Sequence, residues 1–151
     1  QFPIYFCCIA LISAFSNIIN ATLVERLGMW VMSTFAIGFN MVFSAIVYFI
    51  LYMEIVSNIY LLPIFLIWSV VVFLTMAMSI GNLMALAMEP VGHIAGLAAS
   101  IIGSTSTLIS ILLAIPIGMM FNGTGMPLIA SVTILAITAF GLNIINPRSA
   151  N

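Results

Sequence analysis

Only five residues in this chain carry a formal charge: Glu25, Arg26, Glu54, Glu89 and Arg148. The stretches between them are long and apolar, and that spacing is the strongest constraint on what the chain can fold into. Soluble domains carry roughly 25% charged residues. Here the figure is 3% over 151 residues, with 65% hydrophobic residues and a mean hydropathy of +1.39. A membrane span needs about 20 apolar residues, or roughly 30 with its connection. The arithmetic predicts an all-α protein: a polytopic transmembrane helix bundle of about five spans. Strands are not expected, because the apolar runs do not alternate and in lipid each helix satisfies its own backbone.

Polar punctuation places the spans at about 3–24, 29–52, 60–88, 94–121 and 127–145. The breaks are Glu25-Arg26-Leu27-Gly28, then Glu54 with Ser57-Asn58, then Glu89-Pro90-Val91-Gly92-His93, then Asn122-Gly123-Thr124-Gly125. Turn chemistry, rather than glycosylation, accounts for the sequon at Asn122. The chain enters apolar sequence almost at residue 1 without an initiator Met or a basic leader, so it reads as a fragment and not as a signal peptide. With five spans, Arg26, His93 and Arg148 share one side, which the positive-inside rule makes cytoplasmic, C-terminus included. Trp30, Tyr52 and Tyr60 stand at span ends, where amphipathic rings anchor among headgroups.

Several chemistries are excluded by what the chain lacks. A net charge of −1 without lysine provides no basic surface, so nucleic acid is not an expected partner. Cys7 and Cys8 are adjacent, which suits neither a metal site nor a disulfide framework. The single histidine, His93, rules out paired-histidine zinc or haem ligation, so no metal or cofactor is expected. With no aspartate and one histidine there is no Ser-His-Asp set, and an enzyme is not expected. Glu89 and His93 are four apart and would pair on a regular helix, but Pro90 and Gly92 interrupt that geometry. At a membrane edge these two serve either solvation or a proton relay.

Two kinds of helix face carry information. In the fourth span Gly92, Gly96, Ser100 and Ser104 recur every four residues, with Ala95, Ala99, Gly103 and Thr107 beside them. Adjacent rows of small residues let another helix approach closely, so this strip is read as a helix-packing face. In the first span Ser13, Asn17 and Asn20 share a face, and in the third so do Trp68, Thr75, Ser79 and Asn82. Polar groups in hydrocarbon must pair or meet water. Pairing between helices can explain such residues, but a stripe repeated on two helices better fits the wall of a water-accessible substrate cavity. Met76, with Met78, Met84 and Met88, flanks the second stripe and suits either gap filling or an adaptable apolar ligand. No carboxylate lies in the middle of a span, so a coupling carboxylate would have to lie outside the chain.

The stretch Met88-Glu89-Pro90-Val91-Gly92-His93-Ile94-Ala95-Gly96-Leu97-Ala98-Ala99-Ser100, with Gly103 and the closing Phe121-Asn122-Gly123-Thr124 and Pro127, resembles the penultimate helix of Bcr/CflA-type drug:proton antiporters of the major facilitator superfamily. Glu25-Arg26-x-Gly28 is similar to the acidic-Arg-x-Gly loop that this superfamily repeats in each half. Asn122 departs from the pattern, standing where the family has an aspartate. The resemblance implies helices eight to twelve of a twelve-helix exporter in a bacterial inner membrane. Its partners would be the N-terminal half of the same transporter, the lipid bilayer, protons and small amphipathic substrates. It also implies that the first and fourth spans border the missing half, that the third lines the cavity, and that Glu25, Arg26, Gly28, Glu89, Gly92 and His93 belong to loop motifs. The competing expectation is a structural or assembly subunit of a larger membrane complex, in which the polar stripes are helix contacts.

Overall fold

The computed structural model describes residues 2–145, with side chains described throughout except at 2–8, 10, 13 and 15. It consists of helices and connections, and no strand occurs among the described residues. The five α-helices are α1 (Phe2–Leu27), α2 (Met29–Tyr52), α3 (Leu61–Met88), α4 (Ala95–Met119) and α5 (Met126–Ile145). A 3₁₀ turn, Asn58–Tyr60, precedes α3, and a 3₁₀ segment, Glu89–Ile94, joins α3 to α4. Three stretches are long and apolar enough to cross a membrane: Met29–Tyr52, Asn58–Met119 and Met126–Ile145. This is the architecture of an integral membrane protein.

The middle stretch is 62 residues long. As one straight helix it would measure about 90 Å, roughly three times the hydrocarbon core, so the chain has to reverse within it. It does so at Glu89–Ile94, where Val91 leaves helical geometry (φ −119°, ψ 28°). At the other end of α4, Gly125 lies against the ring of Phe65, near the start of α3, so α4 runs back along the direction α3 came from. The connection between α1 and α2 is tighter still. Gly28 alone joins them, with φ 84° and ψ 153°, a region open essentially to glycine.

The bundle is centred on α2 and α3, which pack most extensively on each other. The outer face of α2 takes α5, and α1 lies mainly on α3. Helix α4 touches α3 and α5 only sparsely, and none of its residues is buried. A core cluster of Val47, Trp68 and Ile129, bordered by Phe43, Phe65 and Val132, joins α2, α3 and α5.

The interior mixes small polar residues with apolar ones, and large apolar side chains cover the outside. The buried set includes Ser16, Ser33, Ser44, Thr75, Ser79, Asn82 and Thr133, whereas Phe35, Phe49, Ile134 and Leu142 are more than half exposed. Bundles in lipid gain nothing by hiding large apolar side chains from other apolar groups; they gain by close backbone packing over small residues. The hydroxyls fit that role because several satisfy themselves. Ser33 donates to the Met29 carbonyl at 2.9 Å, Ser79 to Thr75 at 2.7 Å and Thr133 to Ile129 at 2.7 Å. Each therefore adds little bulk to a helix contact and leaves no orphan donor.

Candidate functional site

The stripe of α3 is built by residues seven, four and three apart, which a 3.6-residue turn brings to one side. Trp68, Thr75, Ser79 and Asn82 are all buried, Trp68 to 2% exposure. Trp68 meets α2 and α5, and Asn82 meets α1. At one end of the stripe the Asn20 amide donates to Asn82 Oδ1 at 3.1 Å, and Asn82 donates back to Asn20 Oδ1 at 2.8 Å. This reciprocal pair joins the stripe of α1 to that of α3. At the other end Trp68 Nε1 donates to Ser44 Oγ at 2.9 Å, and Ser44 donates to Asn40 Oδ1 at 3.2 Å. Between them Thr75 donates to the Val71 and Val72 carbonyls, and Ser79 to Thr75. A third tie connects α5 to α2: Asn143 Nδ2 donates to Thr34 Oγ1 at 2.7 Å, and Thr34 donates to the Trp30 carbonyl.

These ties set the direction of the bundle. Asn20 and Asn82 lie about two turns from the C-terminal ends of α1 and α3, and Asn143 near the end of α5 meets Thr34 near the start of α2. Arg26, Gly28, Glu89 and His93 consequently share one end of the molecule.

The remaining cavity candidates are placed differently. Asn17 is exposed on α1, and Met76 is half exposed on a flank of α3 away from the buried stripe. The side chain of Ser13 lies outside those described, as do Cys7 and Cys8, and Arg148 lies outside the described residues. Of the loop residues, Glu25, Arg26, Glu89, Gly92 and His93 are exposed. Glu89 and His93 stand on 3₁₀ backbone, whose three-residue turn carries i and i+4 onto different sides. On α4, Gly96, Ser100 and Ser104 are exposed while Ala95, Ala99 and Gly103 are half buried, and a Cβ built on Gly96 or Gly103 meets nothing within 4 Å.

Sequence reasoning missed the partners. Asn40 and Ser44 stand four apart in an otherwise apolar α2, and Asn143 is an isolated amide in α5; polar residues this rare inside spans were the available signal. An apolar groove of about 570 Å³ also went unforeseen, lined by Trp30, Phe35, Gly38, Phe39 and Phe140 between α2 and α5. None of the stripe residues lines it. The Trp30 indole N–H is buried with no acceptor among the described residues. Among the described residues no cluster of His, Cys, Asp and Glu is arranged to hold a metal.

Compared with known protein families, curated proteins and solved structures, the chain matches none. Function therefore rests on the residues themselves.

Proposed function

We propose that the chain is the C-terminal portion of a proton-coupled exporter of small amphipathic molecules, of the Bcr/CflA type within the major facilitator superfamily, working by alternating access. The observation that carries this reading is α4. Of its rows of small residues, Gly96, Ser100, Ser104 and Thr107 are exposed and Ala99 and Gly103 only half buried, and among the described residues α4 packs sparsely on α3 and α5. A second bundle is needed to cover them, and the N-terminal half of such a transporter would supply it. The residues of the family resemblance, Met88 to Ser100, occupy the reversal and the first turns of this same helix. On this reading the protein crosses a bacterial inner membrane with α1 to α5 as five passes, and the end bearing Arg26 and His93 faces the cytoplasm. Asn17 of the α1 stripe and Met76, which flanks the α3 stripe, are open to a cavity, and the buried stripe residues brace its wall.

The other reading is a structural subunit. The observation favouring it is that Trp68, Thr75, Ser79 and Asn82 are already paired and buried without any need of water.

The two separate in a transport assay. The intact protein, reconstituted into liposomes with an imposed proton gradient, should move an amphipathic cationic dye, and a protonophore should abolish the movement. Dye movement equal to that of protein-free liposomes contradicts the exporter and leaves the subunit.

A further inference from the structure

The polar ties of the bundle are unevenly shared. Side-chain hydrogen bonds link α1 to α3 through Asn20 and Asn82, α3 to α2 through Trp68 and Ser44, and α5 to α2 through Asn143 and Thr34. Helix α4 has hydroxyls in plenty, but those of Ser100, Ser104, Thr107 and Ser110 donate to the carbonyls of Leu97, Ile101, Gly103 and Ser106 of the same helix. Nothing on α4 is buried, and its packing on α3 and α5 is sparse. The segment that carries it is not a regular α-helix. Over Glu89–Ile94 the backbone is 3₁₀, Val91 and Ile94 depart from helical angles (φ −119° and −126°), and no side chain caps the start of either the segment or α4. Pro90 lacks an amide donor, and Gly92 has open space around it.

We infer that Glu89–Ile94 is a hinge, about which α4 pivots as one rod while α1, α2, α3 and α5 stay locked together. Hinges are short element-terminal segments that absorb backbone rotation, and a helix with few buried contacts costs little to displace. Interhelical side-chain bonds resist the same displacement in the other four. The inference does not depend on the protein being a transporter. If it is one, α4 is the helix of this chain able to follow the partner bundle through a movement without disturbing the core.

Spin-label distances in the intact protein in lipid bilayers test the hinge. One label pair joins exposed Leu112 on α4 to exposed Ile137 on α5, and a control pair joins exposed Ile46 on α2 to Ile137. The α4 pair should give a distance distribution about twofold broader, or with two maxima, while the control stays narrow. The double variant Pro90→Ala/Gly92→Ala restores an amide donor and reduces backbone freedom, and should narrow the α4 distribution towards the control. Equal widths for the two pairs in the unaltered hinge overturn the inference even if the variant fails to insert. A broad α4 distribution unchanged in a well-inserted variant overturns the assignment of the hinge to this segment.

Discussion

At the scale of single residues, the amide pair Asn20–Asn82 makes the clearest energetic statement. An interhelical hydrogen bond in a membrane protein contributes about 0.6 kcal/mol on average and up to about 1.7. Two reciprocal bonds should therefore show a coupling of about 1 kcal/mol in a double-mutant cycle of Asn20→Ala and Asn82→Ala, read from unfolding in mixed micelles. Additive effects would mean that the pair does not form in the membrane. Gly28 is the other residue whose chemistry is forced. Its backbone conformation (φ 84°, ψ 153°) is strained for any side chain, so Gly28→Ala should lower stability by about 1–3 kcal/mol, although a Cβ there meets no neighbour. Gly28 was legible in the sequence as the break between two apolar runs, although Glu25 and Arg26, read there as part of a turn, belong to the last turns of α1. The partners of Asn20, Trp68 and Asn143 were not, because which polar groups meet across helices depends on how the helices dock, and periodicity along one helix holds no record of its neighbour.

At the scale of elements, two helical glycines meet different surroundings in space. A Cβ on Gly38 would sit 2.9 Å from the Phe140 ring, whereas one on Gly96 meets nothing. Gly38→Leu should therefore splay α2 from α5 and cost about 1–3 kcal/mol by overpacking, visible as reduced thermal stability of the purified protein. Stability equal to the unaltered protein would show that the α2–α5 contact is looser than the geometry implies. The helices themselves were readable from the sequence: long charge-free runs have one backbone solution in lipid, and their ends fall at Glu25–Gly28, at Glu54 and at Asn122–Gly125. The stripe on α3 was readable as a face, but the sequence left its environment open between a wet wall and a dry helix contact. Docking buries it within this chain, with Ser44 opposite Trp68 and Asn20 opposite Asn82.

At the scale of the whole molecule, the alternating directions of the five helices, the shared end of Arg26 and His93, and the uncovered face of α4 belong to one arrangement. If the Arg26 end is cytoplasmic, a cysteine at Ser57, in a background with Cys7 and Cys8 replaced, should react with an impermeant thiol reagent added outside intact cells. A cysteine at Ser149 should not; labelling of both would contradict the topology. The uncovered face is where the account is most exposed to test. Gly96 and Ser100 lie one turn apart on the strip that the proposed function assigns to a second bundle, and Gly141, on α5, also has open space about it but belongs to no such strip. The deciding measurement is substrate efflux by Gly96→Leu and Gly141→Leu in the intact protein, normalised to the amount in the membrane. Forcing two backbones apart costs about 1–3 kcal/mol, enough to bias a conformational equilibrium roughly tenfold. Efflux should be lost in Gly96→Leu with the protein still inserted, and largely kept in Gly141→Leu. Normal efflux by Gly96→Leu would mean that α4 meets no second bundle, and the exporter reading would fall with it.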